Sequence, residues 1–306
     1  MDGFLVVDKP QGITSHGIVE RVRRIFAQRK VGHCGTLDPM ATGVLVLSLG
    51  KGTRLSRFLR VDPKEYLAQM TLGIKTDTLD KTGKILEKKE VKVGEDEVKE
   101  VLLSFVGEIT QVPPMTSAVK VGGVPLYKLA RKGIEVKRKP RQVFIYKIDF
   151  LSFEEGEHPR VNFKITCSKG TYVRVVASEV GEKLGCGAHL SALRRLRSGD
   201  YTLEMAHKLE EIEERKKSDD LQELIVGFEE ALKGYPVVVV KKKLSYRVRN
   251  GNPVTLGMVK HRPYPLKNET PVRILDEEGS FLAMGKWRGE NAYDYRQVVA
   301  PLEVVL

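Results

Sequence analysis

"GHCGTLDPMATG", residues 32–43, sets an aspartate, Asp38, among small residues, with a proline directly after it and Gly43 five positions on. The residue before a proline is steered away from helical angles, so Asp38 is predicted in a turn rather than in a helix or a strand. Gly35, Ala41 and Gly43 leave room for something bulky to approach. An isolated Asp-Pro reads as an Asx-turn, in which the carboxylate bonds only the backbone two residues on. That reading does not account for His33, Thr36 and a glycine-lined loop in the same dozen residues of a basic chain, which leaves this segment as one that could carry chemistry. Directly after it, "GVLVLSLG" (43–50) is a continuous apolar run, the pattern of a strand buried on both faces.

On either side the pattern mixes strands with helices. "GFLVVDKP" (3–10) reads as a strand ended by Pro10, and "TSHGIVERVRRIF" (14–26) as a helix capped at Thr14 or Ser15, with Ile18, Val22, Ile25 and Phe26 on one face. In "KEYLAQMTLGIKT" (64–76) Tyr66, Ala68, Met70, Leu72 and Ile74 alternate with a more polar set, which predicts a half-covered strand with Tyr66 on its apolar face. "VFIYKIDFLSF" and "RVNFKITCSKG" suit an antiparallel pair. "TYVRVVASEVGEKLG" takes a helical period through Val173, Val176, Ala177, Val180 and Leu184, which puts Arg174 in the first turn on a different face. The class is α+β, a mixed, largely antiparallel sheet flanked by helices. A boundary is expected near Gly234 and Pro236; beyond it "YPVVVV", "PVTL", "TPVRILD", "FLAMGKW" and "QVVAPLEVV" suit a small barrel or sandwich.

Charge narrows the function classes. Fifty-two Lys and Arg against forty Asp and Glu leave +12 on 306 residues, which favours a polyanionic partner, nucleic acid or an anionic membrane surface. The longest apolar runs fall far below the roughly 20 residues of a spanning helix, and "MDGFLVVDKP" shows no signal peptide, so a cytoplasmic protein is expected. Cys34, Cys167 and Cys186, an odd count without paired spacing, argue against a disulfide framework and against a zinc site. Residues 119–142, "VKVGGVPLYKLARKGIEVKRKPRQ", hold eight basic residues and one acidic, Glu135, more than half of the net charge. Glycines and prolines predict a long loop with a short helix near Leu126 to Lys132, an insertion able to order on RNA. Lys120, Arg131 and Arg141, with Tyr127 interleaved, are its candidate substrate contacts. In "LSALRRLRSG" the cluster Arg194, Arg195 and Arg197 suits phosphate contact, although an amphipathic helix burying Leu193 and Leu196 explains it nearly as well. "DKTG" at Asp80 lacks the membrane spans of a cation-pumping ATPase, "GKGT" at Gly50 lacks the spacing of a phosphate loop, and the six histidines are scattered, no two of them three or four residues apart.

"GHCGTLDPMATGVL", "LVVDKPQGITS", "KEYLAQMTLGIKTDTLDKTG", "PPMTSAVKVGGVPLYKLAR" and "CSKGTYVRVVASEVGEKLGCGAHLSALRRLRSG" together resemble the TruB family of tRNA pseudouridine-55 synthases, over nearly the whole chain. The resemblance implies a pseudouridine synthase fold in residues 1–234, with the basic RNA-binding insertion at about 119–142. It implies a PUA-like RNA-binding barrel in 235–306, where "GSFLAMGKW" carries the likeness. Such enzymes flip uridine 55 of the TΨC loop into a pocket and isomerise it without cofactor or metal. By resemblance Asp38 is the essential carboxylate and Arg174 its partner, holding it ionised in a dry pocket where burial alone would raise its pKa. Tyr66 would stack on the extruded base, Tyr172 shape the pocket and Leu193 line it. Lys9 and Pro10 would support its wall, Lys9 also as a substrate contact, and His33 would fill the gap left by the base. The partner would be the T stem-loop of tRNA, met by a monomer. Two rival classes fit the same charge: a dyskerin-type synthase that works with a guide RNA, and a protein that binds and folds tRNA without chemistry.

Overall fold

The computed structural model describes residues 1–262, 266–288, 298–300 and 302–306, apart from the side chains of 298 and 299. Its centre is a ten-stranded sheet. The strands are β1 (Gly3–Lys9), β2 (Val31–His33), β3 (Thr42–Leu49), β4 (Lys64–Leu72), β5 (Gly107–Gln111), β6 (Arg141–Glu154), β7 (Arg160–Cys167), β8 (Ala188–Ser198), β9 (Tyr201–Thr202) and β10 (Ile225–Val226). They run β10-β1-β3-β8-β4-β7-β6-β5, with β2 paired to β3 and β9 to β8. β3 and β8 are parallel, Arg195 lying opposite Gly43, and the other ladders are antiparallel, so the sheet is mixed and largely antiparallel.

Helices cover one face: α1 (Ser15–Ile25), α2 (Glu95–Leu103), α3 (Val173–Lys183) and α4 (Leu209–Lys217). α1 starts where a short polar side chain can cap it, Thr14 Oγ1 accepting from Gly17 N at 2.9 Å. Its stripe of Ile18, Val22 and Ile25 packs into the core with Leu5, Leu45 and Leu47, each buried aliphatic side chain contributing about 1.5–3 kcal/mol. β1 and β3 are buried on both faces, as the apolar run in β3 predicts. Leu5, Val7, Leu45, Leu47 and Leu49 meet the helices, while Phe4, Val6, Val44 and Val46 pack into a separate cluster on the other side. β4 keeps the alternation of Tyr66, Ala68, Met70 and Leu72. It ends there because Gly73 takes φ +80°, and Ile74 begins a separate short strand, Ile74–Thr76, instead of continuing the run.

The "LSALRRLRSG" segment is strand β8 rather than a helix, and Arg195, drawn into the interior, is not placed for phosphate contact. Arg195 is interior, 1% exposed, Arg194 is held by Asp8 at 2.7 Å, and Arg197 faces Glu65 at 3.8 Å. The basic insertion forms a hairpin, Lys120–Val121 with Val124–Pro125, followed by the short helix Leu126–Ala130.

Beyond Pro236 a second core gathers Val238, Val240, Val272, Ile274, Leu282 and Trp287. Its strands form a five-stranded sheet, Val259–His261, Val237–Val240, Pro271–Asp276, Phe281–Lys286 and Leu302–Val305 in spatial order. A separate ladder joins Val254–Thr255 to Val298–Ala300. The expected small barrel is not closed among the described residues, and Gln297 and Pro301 of the last predicted run lie outside them. Met284 and Phe281 from this unit join Phe4, Val6, Val44 and Tyr201 in one apolar cluster. Arg273 spans the connection, donating to the carbonyls of Glu229, Lys233 and Tyr235, while Tyr235 Oη donates to Phe58 O at 2.8 Å. Among the described residues no helix is long and apolar enough to cross a membrane.

Candidate active site

Asp38 sits in an irregular loop between β2 and β3, and that loop is tied down from several directions. Ser15 Oγ accepts from Leu37 N at 2.8 Å and donates to Leu37 O at 3.0 Å. Gly12 N donates to Pro39 O at 2.8 Å, and Lys9 Nζ reaches the carbonyls of Ile13, Pro10 and Pro39 at 2.7, 2.9 and 3.3 Å. Arg195 straps the approach, donating to Val44 O at 2.6 Å, Gly35 O at 3.2 Å and Thr36 O at 3.4 Å. Gly43 is required where the loop enters β3, because its φ is +98° and a Cβ there would stand 2.2 Å from Arg195 O. Among the described residues the Asp38 carboxylate takes no main-chain hydrogen bond, so the turn is not an Asx-turn.

The carboxylate instead faces Arg174, with Oδ1 3.5 Å from Nη2. Arg174 leaves the first turn of α3, where sequence places it, and is 3% exposed. A buried guanidinium needs partners, and it has them in Asp80 at 3.4 Å, Thr116 Oγ1 at 2.8 Å, Thr116 O at 3.3 Å and Thr78 O at 3.5 Å. Asp80 is fixed in turn by the Thr78 and Thr82 hydroxyls. A cleft of about 190 Å³ opens over this pair, lined by Asp38, Tyr66, Tyr172, Arg174, Leu193 and Lys64, with Ser117 in its wall. Tyr66 enters from the start of β4, Leu193 from β8, and Tyr172 precedes α3, with Arg174 Cζ 5.9 Å from its ring centroid.

Burial pushes the Asp38 carboxyl up from its ordinary range, Arg174 pulls it back, Asp80 adds to the rise and Lys9 opposes it. Arg174 therefore does not hold the acid at its usual value, since its charge is shared with Asp80. Burial, then the Arg195 charge, lowers Lys64, and burial raises the Tyr66 phenol against the pull of Arg195. Lys9 is fully buried and lowered to about 8, first by burial. Its donors are spent on carbonyls, so it supports the wall of the site but offers nothing at the surface, which corrects its placement among substrate contacts. His33 ends β2, outside the cleft lining, with a buried, unpaired Nδ1 and an imidazole pKa lowered by burial and then by Arg195. Lys120, Arg131 and Arg141 are exposed on or beside the insertion, and Arg131 Cζ lies 5.6 Å from the Tyr127 ring centroid.

Sequence reasoning missed Asp80, Lys64, Thr116 and Ser117. Asp80 stood in a motif set aside as a false match. Lys64 lies two residues before Tyr66 on the same strand, a spacing that could have placed it. Thr116 and Ser117 lie in "PPMTSAVK", which has no periodicity to aim a side chain. Among the described residues no group of three or more His, Cys, Asp and Glu side chains is placed to hold a metal ion.

The fold matches a solved H/ACA RNP bound to a substrate RNA containing 2'-deoxyuridine, at TM-score 0.72 and 27% identity over 99% of this chain and 84% of that one. Fold and cleft together define a pseudouridine synthase. Residues 23–173 match the TruB family pseudouridylate synthase N-terminal domain, and residues 174–233 the tRNA pseudouridylate synthase B C-terminal domain. The chain belongs to the TruB family. It is 48% identical over 260 residues to tRNA pseudouridine synthase B of Syntrophotalea carbinolica, covering 85% of this chain and 84% of that one. It is 42% identical over 288 residues to the protein of the same name from Syntrophus aciditrophicus, covering 94% and 91%.

Proposed function

We propose that the protein converts uridine 55 in the T loop of tRNA to pseudouridine, with Asp38 as its essential carboxylate. The supporting observation is the Asp38–Arg174 pair at 3.5 Å on the floor of a cleft that also holds the Tyr66 ring. The base leaves the stack and enters the cleft, where Tyr66 and Leu193 take its faces. The bond from N1 to C1' breaks, the base turns, and C5 joins C1'; C5 gives up its hydrogen and N1 takes a proton. Asp38, ionised, stabilises or captures the sugar centre between those events, with Arg174 balancing its charge. His33, beside the cleft, fills the space the base vacates. Lys120, Tyr127, Arg131 and Arg141 grip the T stem through phosphates, and the unit from residue 235 onward acts as a PUA-like barrel on the rest of the tRNA. The reaction takes place in the cytoplasm, on a monomer comprising a catalytic unit of residues 1–234 and this second unit.

The guide-RNA reading draws on the ribonucleoprotein whose fold this chain shares. The stand-alone reading is favoured by relatives of 42–48% identity, named as tRNA enzymes, over most of the chain. A bare tRNA transcript labelled with tritium at C5 of uridine separates the rivals. Wild type should release tritium unaided, and Asp38→Asn should bind the transcript normally and release none. Binding without release by the wild type would leave a tRNA-folding protein, and release only with added RNA would leave the guided class.

A further inference from the structure

Ser117 and Thr171 both line the cleft with a buried hydroxyl that has no hydrogen-bond partner among the described residues and that the reaction above does not use; of the two, only Ser117 is buried as a whole residue. It is 2% exposed, and its Oγ meets no hydrogen-bonding group among the described residues, although it lines the same cleft as Asp38 and Tyr66. A buried hydroxyl without a partner costs free energy that a protein ordinarily avoids. Its main chain is fixed on both sides: Ser117 N donates to Pro114 O at 3.1 Å, and Ser117 O accepts from Tyr127 N at 3.0 Å. The preceding residue, Thr116, holds Arg174 through both hydroxyl and carbonyl. The hydroxyl is thus fixed in place between the insertion and the catalytic pair, in a wall that a flipped base must face.

We propose that Ser117 Oγ donates a hydrogen bond to a ring carbonyl of the bound uracil, and that an equivalent bond forms again once the base has turned over. This rests on the assignment of the cleft to uridine isomerisation. The chemistry of uracil makes one fixed donor sufficient for both halves of the reaction. Turning the detached ring about the axis through N3 and C6 exchanges N1 with C5, as the product requires, and by the same motion exchanges O2 with O4. Both are acceptors, so a donor placed against one finds the other after the turn. Cytosine lacks this equivalence, because its 4-position carries an amino donor, and the hydroxyl would have to switch from donating to accepting when the ring turned. Ser117 is therefore a positioning contact for the base in both of its orientations.

Ser117→Ala tests the assignment because a structural hydroxyl and a substrate-facing one give opposite results. No protein hydrogen bond is lost, so the melting temperature should stay level or rise. Affinity for tRNA, set by phosphates, should be unchanged, and the single-turnover rate of tritium release should fall about tenfold, the loss of one hydrogen bond in a dry site. A tRNA carrying 4-thiouridine at the target, whose sulfur is the poorer acceptor, should slow the wild type but slow Ser117→Ala no further. A lowered melting temperature, an unchanged rate, or an equal thio effect in both proteins would overturn the proposal. If the wild type itself released no tritium, the isomerase reading would fall first; if it did and Ser117→Ala matched it, only the serine's role would fall.

Discussion

Arg174 serves two carboxylates at once, and the consequence falls on Asp38. Its side chain keeps 29% of its exposure, yet burial still outweighs the guanidinium, and the acid is shifted upward. An acid whose folded pKa is raised costs stability when ionised: above that pKa the folded state carries an unfavourable charge, and below the ordinary carboxylate value both states are neutral and the cost is gone. Asp38→Asn is therefore expected to melt above the wild type at pH 7, by about 2 °C or more per kcal/mol relieved, with the gap closing as pH falls through the raised pKa. Thermal melts at pH 7 and in acid check this, and a mutant that melts lower at pH 7 would contradict it. Sequence made Asp38, Tyr66 and Arg174 legible because each stands in a stretch with a reading of its own, a turn before proline, a strand face and a helix start. Ser117 and Thr116 were not, since a hydroxyl in an aperiodic proline-rich stretch reveals its direction only once the chain is folded.

At the scale of elements, the crossing of β3 and β8 is the strictest contact in the sheet. Gly43 combines a left-handed φ of +98° with a Cβ position that Arg195 O already occupies, so strain and collision add. Gly43→Ala should cost about 2 kcal/mol or more, read as a lowered urea midpoint at unchanged slope, and activity should fall with it because the Asp38 loop is displaced. A midpoint equal to wild type would mean that the sheet can part here without penalty. β8 is also where sequence and structure diverge most. Its ladder with β4 shifts register between Leu190 and Ala192 and again between Arg195 and Arg197, and such bulges break the period of two by which a strand is recognised. Leu193 and Leu196, three apart, then fit a helix equally well. β1, β3, β7 and α3 lie where their patterns put them; β4 stops at Leu72, short of the predicted run, and β6 is a strand as predicted despite two register shifts of its own against β7.

Across the whole molecule, the boundary expected near Gly234 does not interrupt the apolar interior. Met284 and Phe281 share a cluster with Phe4, Val44 and Val46, and Arg273 and Tyr235 bridge the connection. Calorimetry should accordingly show one cooperative transition; two resolved transitions would mean that the shared cluster contributes little. The expected boundary rests on glycine, proline and a change in strand length, which are local signals, whereas the sharing of apolar side chains between distant segments is not local and went unread. The order of the central sheet has one more consequence. β3 and β4 follow each other in sequence, yet β8 lies between them. A chain still on the ribosome, made only as far as α3, holds Asp38 and Tyr66 on two flaps with no shared edge, and it cannot bring them together until residues 188–198 emerge and zip into the gap. The site is assembled late in synthesis, by the strand that also carries Leu193 into the cleft, so an incomplete chain has little chance to act on RNA before its fold is finished.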